Sequence, residues 1–121
     1  MTGMIGGKIK VQTKSIYMTS EILVNSDGRI LHADKAFCEI FGCKNSDAIH
    51  NSSVLDFMVE EFRHTAVNAF IDTFYGKQEG KLYEVKMYNS TGTPLDVTIN
   101  FFLSKASLGE KATLLIRKKI L

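Results

Sequence analysis

The two cysteines are the most reactive side chains in this sequence of 121 residues. Cys38 and Cys43 lie five positions apart in a predicted helix, a spacing that turns them toward different faces, so we expect no disulfide between them. Neither has a histidine at a recognisable catalytic spacing, so packing in or near the core is a better interpretation than nucleophilic chemistry. Because nothing indicates a disulfide framework, we expect a reducing, cytoplasmic location.

The histidines and carboxylates are the next side chains that could take part in chemistry, and neither group forms a recognisable site. His32, His50 and His64 have no partner at a metal-ligand spacing, which predicts no metal site. Asp56 and Glu60 are four positions apart near a predicted helix start, where helix capping explains them as well as acid–base chemistry does. The chain also has no phosphate-binding glycine loop, no Ser-His-Asp arrangement and no kinase signature. The sequence therefore predicts no catalytic site.

Composition and charge argue against several classes of partner. The chain is 45% hydrophobic and 23% charged, and its net charge of +2 is too small to favour a nucleic-acid partner. We interpret the basic run at 117–119 as a solvated strand end. No apolar stretch approaches the roughly 20 residues that a membrane span needs, and residues 1–14 lack the apolar core of a secretory signal. We expect a single globular domain.

The elements that must position these side chains begin with a hairpin and a capped helix. The stretch EILVNSDGRILHA predicts two strands around a turn at 25–28, since Asp-Gly tolerates the positive φ of a tight turn. Asp34 is then the expected N-cap of the helix KAFCEIFG, and Gly42 is its expected end.

Two short helical turns and one long helix follow. Ser46 is the expected cap of the first turn, and Ser52 or Ser53 is the expected cap of the second. The longest helical pattern covers 59–75 and ends at Gly76. Its apolar stripe consists of Phe62, Ala66, Ala69, Phe70, Thr73 and Phe74.

Three predicted strands close the chain, at 81–88, 95–104 and 112–121. In the middle strand apolar and polar residues alternate, except that Phe102 interrupts the polar face. The last strand is apolar on both faces around Leu115. Since the outer face of such a sheet is normally polar, these residues predict that the N-terminal segment or a second subunit covers it. We expect a homodimer.

The order of these elements resembles the PAS domain family from about residue 20 to the end of the chain. DGRILHADKAFCEIFG is similar to the family's Asp-Gly hairpin and the helix start that follows it, with Asp34 where asparagine is usual, and STGTPLDVTI is similar to its second hairpin. The resemblance implies an α+β fold in which a five-stranded antiparallel sheet has helices packed on one face. It implies a domain at 20–121, preceded by a lead segment at 1–19 that is a possible dimer contact.

The PAS family includes branches that bind flavin or haem, and the residues at the matching positions argue against both cofactors. The flavin branch needs a cysteine where this chain has Ser53, and serine is a far poorer nucleophile. That branch also uses polar amides where Met87 and Val97 stand. The haem branch needs a histidine near Val67, whereas His64 lies off the apolar stripe near the helix start. We expect neither flavin nor haem, and the identity of any cofactor stays open.

The resemblance also implies a candidate cavity between the sheet and the helices. Its lining is aromatic and aliphatic with one phenol as the main polar group, which would suit an apolar or aromatic ligand. For a domain of this size, a filled core is the simpler interpretation. The candidate lining residues are Phe37, Ile40, Phe41, Leu55, Phe70, Tyr83, Met87, Val97, Ile99 and Phe101.

The function that the resemblance implies is signal sensing and protein interaction within a signal-transduction protein, without catalysis. In this interpretation the domain dimerises through its sheet face and passes a structural change to an effector domain or a partner protein. One alternative is a receptor for an apolar or aromatic small molecule in the internal cavity. The other is a small enzyme that uses a buried carboxylate or Cys38.

Overall fold

Residues 16–104 and 110–119 are described in a computed structural model of the chain. In chain order their elements are β1 (Tyr17–Asn25), β2 (Ile30–Ala33), α1 (Lys35–Phe41), a first 3₁₀ turn (Ser46–Ile49), a second 3₁₀ turn (Val54–Phe57), α2 (Glu60–Phe74), β3 (Leu82–Tyr88), β4 (Pro94–Ser104) and β5 (Lys111–Lys119). Most of the predicted lead segment, most of the predicted last loop and the end of the predicted last strand lie outside the described residues.

The five strands form one antiparallel sheet in the order β2-β1-β5-β4-β3. The central strands β1 and β5 pair along their whole length, from Tyr17 opposite Lys119 to Asn25 opposite Lys111. Because the first and last strands are neighbours, the N-terminal hairpin and the three C-terminal strands become one sheet. The predicted α+β fold with a five-stranded antiparallel sheet is confirmed.

Burial alternates along the strands and distinguishes an inner face from an outer face of the sheet. On β4, Val97, Ile99 and Phe101 are buried, whereas Asp96 and Phe102 are exposed, as the alternation in the sequence predicts. Helices α1 and α2 pack on the inner face, and their apolar residues join it in one hydrophobic cluster. The predicted stripe of α2 faces this cluster, with Ala66, Ala69, Thr73 and Phe74 buried and Phe62 and Phe70 partly buried.

One side chain organises the turn between β1 and β2. Asn25 Oδ1 accepts hydrogen bonds from the backbone N–H groups of Asp27 (3.0 Å) and Arg29 (2.9 Å). Gly28 adopts a φ of 78°, which a residue without a Cβ reaches at no steric cost. The predicted hairpin and its Asp-Gly turn are confirmed.

Asp34 caps α1 and also ties the helix to β1. Its Oδ1 accepts hydrogen bonds from the Phe37 N–H (3.0 Å) and from the buried Ser20 hydroxyl (2.9 Å), and its Oδ2 accepts from the Glu21 N–H (2.9 Å). The helix ends at Gly42, whose φ of 84° is left-handed and whose N–H donates to the Cys38 carbonyl. Both predicted ends of this helix are confirmed.

The expectation that the two cysteines stay apart is wrong, because Cys38 and Cys43 form a disulfide. In a continuous helix, residues five apart have Cα atoms about 8–9 Å from each other, too far for a bridge. Here the left-handed residue Gly42 reverses the chain before Cys43 and brings the two Cα atoms to 4.5 Å. The prediction was wrong because the helix ends between the two cysteines.

The caps of the two 3₁₀ turns are close to those expected. Asn45, and not Ser46, caps the first turn, because its side-chain oxygen accepts a hydrogen bond from the Ala48 N–H at 3.1 Å. Ser53, one of the two expected residues, caps the second turn through its Oγ, which accepts from the Leu55 N–H at 3.2 Å.

The long helix α2 begins one residue later than predicted, with Val59 at the cap position and Glu60 and Glu61 in its first turn. Their negative charges lie at the positive end of the helix dipole, which stabilises this start without a side-chain cap. None of the described helices is long and apolar enough to cross a membrane.

We expect Asp34→Asn to lower the free energy of unfolding by about 1–2 kcal/mol. An asparagine can keep the bonds to Oδ1, but its amide NH₂ would face the Glu21 N–H where Oδ2 now accepts. Asp34→Ala should cost roughly 2–4 kcal/mol, because it also removes the helix cap and leaves the buried Ser20 hydroxyl without this acceptor. Urea unfolding measures both values.

The control for this series is Asp47→Asn, which changes an exposed acidic residue of the first 3₁₀ turn in the same way. Its effect should stay within about 0.5 kcal/mol. An Asp34→Asn protein as stable as the wild type would show that the bond from Glu21 contributes nothing.

Candidate functional site

The ten candidate lining residues share one location, the hydrophobic cluster between the inner face of the sheet and the helices. Seven of them are buried, and three are partly buried at the edge of the cluster. The buried residues are Phe37, Ile40, Phe41, Met87, Val97, Ile99 and Phe101. The partly buried residues are Leu55, Phe70 and Tyr83. All ten are therefore brought together in the core of the domain.

Phe101 on β4 is the centre of one aromatic group in this cluster. Its ring meets the Phe70 ring of α2 edge-on with the centroids 5.2 Å apart, and the Tyr83 ring of β3 edge-on at 5.5 Å. Edge-to-face geometry is favourable for aromatic rings because the positive edge of one meets the negative face of the other. These three rings occupy the place where α2, β3 and β4 meet.

A second aromatic group surrounds Phe37 of α1. Its ring lies 4.6 Å from the Phe41 ring and meets the Phe57 ring edge-on at 5.7 Å, measured between centroids. Phe57 was not among the predicted lining residues. It belongs to a 3₁₀ turn too short to show a periodicity, so the sequence carried no signal for the direction of its side chain.

Tyr83 is the main polar group of the lining, and it already has partners. Its pKa is raised above the usual value, first by burial of the phenol and then by the negative charge of Asp72 and a hydrogen bond to that carboxylate. The ammonium group of Lys81 lies 5.4 Å from the centroid of the Tyr83 ring. A ligand that used the phenol would have to compete with Asp72, a partner on α2 that the sequence did not indicate.

A pocket of about 200 Å³ opens between α2 and the turn of the first hairpin. We call it the helix pocket, and it is lined by Ser26, Asp27, Gly28, Leu55, Val67, Phe70, Ile71, Phe74 and Tyr75. Leu55 and Phe70 belong to the candidate lining, so the helix pocket reaches the edge of the core from outside. Val67 and Ile71 are exposed apolar residues of α2 at its border.

A larger pocket of about 370 Å³ has a different lining, in which five of the ten residues are charged. We call it the sheet-face pocket, and it is lined by Tyr17, Phe62, Glu84, Val85, Lys86, Asp96, Val97, Thr98, Arg117 and Lys119. Two of these residues, which face each other on β3 and β4, form an ion pair between Lys86 Nζ and Asp96 Oδ1 at 2.6 Å. Val97 is the single candidate lining residue that this pocket shares, so the pocket is distinct from the predicted cavity.

The positions compared with the flavin and haem branches lie in different parts of the fold. Ser53 caps a 3₁₀ turn, and Met87 and Val97 are buried and apolar. Val67 is 38% exposed, and His64 is exposed on α2. Within the part of the chain that the structure describes, no three His, Cys, Asp or Glu side chains are grouped to hold a metal ion.

The enzymatic alternative depended on Cys38 or on a buried carboxylate. Cys38 is bonded to Cys43, and a disulfide sulfur carries no thiolate that could attack a substrate. The buried polar residues of the described ranges are Ser20 and Thr73, and every Asp and Glu in those ranges is at least partly exposed. Neither starting point for catalysis is available in this state of the protein.

Three solved structures resemble the chain over most of its length. A PAS domain from Desulfitobacterium hafniense has a TM-score of 0.70 at 16% identity and covers 84% of this chain and 92% of that chain. A PAS domain from a two-component sensor histidine kinase has a TM-score of 0.68 at 9% identity and covers 98% and 100%. The PAS domain of an HTR-like protein from Haloarcula marismortui has a TM-score of 0.68 at 11% identity and covers 96% of each chain.

No protein-family model matches the chain, and no curated protein matches it. At these identities the likeness to the solved structures concerns the fold alone. The chain therefore has the PAS fold, and the resemblance expected from the sequence is confirmed at that level.

We expect Asp72→Asn to lower the pKa of Tyr83, because it removes a negative charge that opposes formation of the phenolate. The pKa should stay above the usual value of about 10, since burial is the larger cause and is unchanged. Titration of the tyrosine ring carbons by NMR measures this. The control is Asp96→Asn on the outer face, which should leave the Tyr83 titration in place.

The same shift has a consequence for stability. Because the folded pKa of Tyr83 is raised, the unfolded chain ionises first, and this contribution to stability is lost as the pH rises above about 10. A Tyr83 that titrates identically in the wild type and in Asp72→Asn would contradict the assigned contact.

Proposed function

We propose that the chain is a sensory and protein-interaction module of a signal-transduction protein and that it catalyses no reaction. The observation that carries this proposal is the PAS fold. The similarity to a PAS domain of a two-component sensor histidine kinase covers 98% of the chain. In such a role the module would pass a change in its sheet or helices to an effector domain or a partner protein.

We propose further that the module forms a homodimer through the outer face of its sheet. That face carries an apolar band, which we call the outer band, formed by Leu23, Leu82, Phe102 and Leu115. Thr113 pairs with both Leu23 and Phe102, so the band crosses the sheet from β1 to β4. Leu82 is 50% and Phe102 39% exposed, and a second copy on this face would remove their apolar surface from water.

The charges beside the outer band favour a second copy of this chain as the occupant. Glu84 and Asp96 are acidic, whereas Lys86, Arg117 and Lys119 are basic, and all five side chains line the sheet-face pocket. A two-fold axis places a surface against itself, so a surface with both signs of charge can be complementary to its own copy. A strongly acidic or strongly basic partner would meet like charges on the same face.

We expect Phe102→Glu to convert the dimer into a monomer, because it places a carboxylate in the centre of the apolar contact. Sedimentation velocity over a concentration series measures the effect. Tyr75→Glu is the matched control, since it introduces the same group at a residue of α2 that is 77% exposed, and it should leave the dimer intact. A wild-type protein that stays monomeric at every concentration would overturn the proposed dimer.

A receptor for an apolar or aromatic small molecule is the second candidate function. The helix pocket favours it, because its lining is largely apolar and includes two residues of the predicted cavity, Leu55 and Phe70. Its volume of about 200 Å³ lies below the roughly 300–1,000 Å³ of common ligand pockets, which limits the ligand to a small fragment. For this reason the receptor ranks second.

If the receptor function is correct, a panel of small apolar and aromatic compounds should contain some that raise the melting temperature of the wild type. Ile71→Trp should abolish that rise, because the larger ring would fill the helix pocket. Asn68→Trp, on a neighbouring exposed position of α2 that does not line the pocket, is the control and should keep the response. A panel without any stabilising compound would remove the receptor from consideration.

We also propose a cytoplasmic location, and this rests on the signalling role alone. Cys38 and Cys43 are bonded to each other, so unpaired cysteines no longer support this location. In a reducing compartment most disulfides are transient and take part in redox chemistry. In a cytoplasmic protein, the disulfide between Cys38 and Cys43 would therefore be expected to be transient.

A further inference from the structure

We propose that Cys38 and Cys43 form a reversible redox site that controls how firmly the end of α1 is attached to the turn between β3 and β4. Cys38 lies in the last turn of α1, and Cys43 follows the residue that ends the helix. Both cysteines are partly exposed, so a small thiol reagent from solvent can reach them. The site does not depend on the dimer or on a cavity ligand, and the redox state adds a function to the proposed module.

The segment that the disulfide closes makes direct contact with the β3–β4 turn. The Phe41 carbonyl accepts a hydrogen bond from the Ser90 N–H at 2.7 Å. A Cβ added to Gly42 would lie only 2.5 Å from Ser90 Oγ, so the chain at Gly42 lies directly against the turn. The two residues that meet the turn are thus held between the two bonded cysteines.

The chemistry is a dithiol–disulfide exchange with a small disulfide such as oxidised glutathione. The thiolate of one cysteine attacks a sulfur of the reagent, forming a mixed disulfide and releasing one thiolate. The thiolate of the other cysteine then attacks the protein sulfur of that mixed disulfide and releases the second thiolate. The protein loses two electrons and two protons, and the reagent gains them as two thiols. A small dithiol or reduced glutathione reverses both steps.

Two features indicate that reduction loosens this region without unfolding the domain. The closed loop has a sequence separation of only five, so in the loop-entropy account it stabilises the fold roughly half as much as a 100-residue loop would. The other supports of α1 do not need the disulfide: Asp34 caps its start, the Gly42 N–H donates to the Cys38 carbonyl, and Phe37 and Phe41 are buried in the core. A disulfide that is required for folding would lack such additional interactions.

The first experiment is a titration in glutathione redox buffers, with alkylation of free thiols and mass spectrometry of the intact chain. We expect two populations, one with no alkylated cysteine and one with two, which interconvert in both directions as the buffer changes. The proposal is overturned if the cysteines stay alkylated in the most oxidising buffer, or if the disulfide persists in the most reducing one.

The second experiment measures amide hydrogen exchange in the oxidised and reduced protein. On reduction, exchange at the Ser90 amide should accelerate about 10-fold, because its acceptor on Phe41 is less firmly held, while amides of β5 such as Leu114 keep their protection. The double variant Cys38→Ser/Cys43→Ser should exchange like the reduced protein in every buffer.

Two results would overturn the proposed effect of the redox state on the β3–β4 turn. Equal exchange at Ser90 in both redox states would mean that the disulfide has no effect on the turn. Loss of protection throughout β5 on reduction would mean that the disulfide is needed for folding. A monomeric protein in the sedimentation experiment would not contradict the proposed redox site. Failure of the redox proposal and failure of the dimer proposal are therefore distinguishable.

Discussion

The N-terminal half of the domain depends on the hydrogen bonds that the Asp34 carboxylate accepts. The chain passes from β2 into α1 with this one residue between them, so the direction of the helix is decided there. One oxygen accepts from the Phe37 N–H in the first turn of the helix and from a buried hydroxyl, and the other accepts from a backbone N–H of β1. With the helix fixed against β1, Phe37 and Phe41 point into the core. The same geometry explains why aspartate suits this position, since three donors meet two acceptor oxygens.

Local signals made much of this fold predictable from the sequence. Asn25 and Gly28 predict a turn because their preferences operate within four residues, and Asp34 and Gly42 mark helix ends for the same reason. Alternation along β4 assigned each residue to a face, since successive side chains of a strand point in opposite directions. Nine of the ten candidate lining residues came together because each belongs to a helix or strand with such a pattern, and the tenth, Leu55, belongs to the second 3₁₀ turn.

What the sequence could not predict depends on contacts between distant elements or on the direction of an irregular segment. The bond between Cys38 and Cys43 required knowing that the chain reverses at Gly42 before the second cysteine. The contact of Asp72 with Tyr83 joins α2 to β3, and no spacing along the chain encodes it. The helix pocket arises where α2 passes the first hairpin turn, so its shape follows from packing alone.

The β3–β4 turn contacts the disulfide loop and joins two strands of the outer band. Ser90 in this turn is bonded to the last residue of α1 within the disulfide loop. The two strands that flank the turn carry Leu82 and Phe102 of the outer band near the ends that are far from the turn. Coupling between two sites needs an element with two discrete arrangements, not proximity alone. The cysteine pair supplies two covalent states, dithiol and disulfide. The paired strands β3 and β4 form one hydrogen-bonded path from the turn to the outer band. A second path runs through Asp34 to Glu21 of β1, which pairs with Leu115. A redox change at the end of α1 would therefore act on the proposed dimer face by moving this turn, or by moving the start of the helix that Asp34 ties to β1.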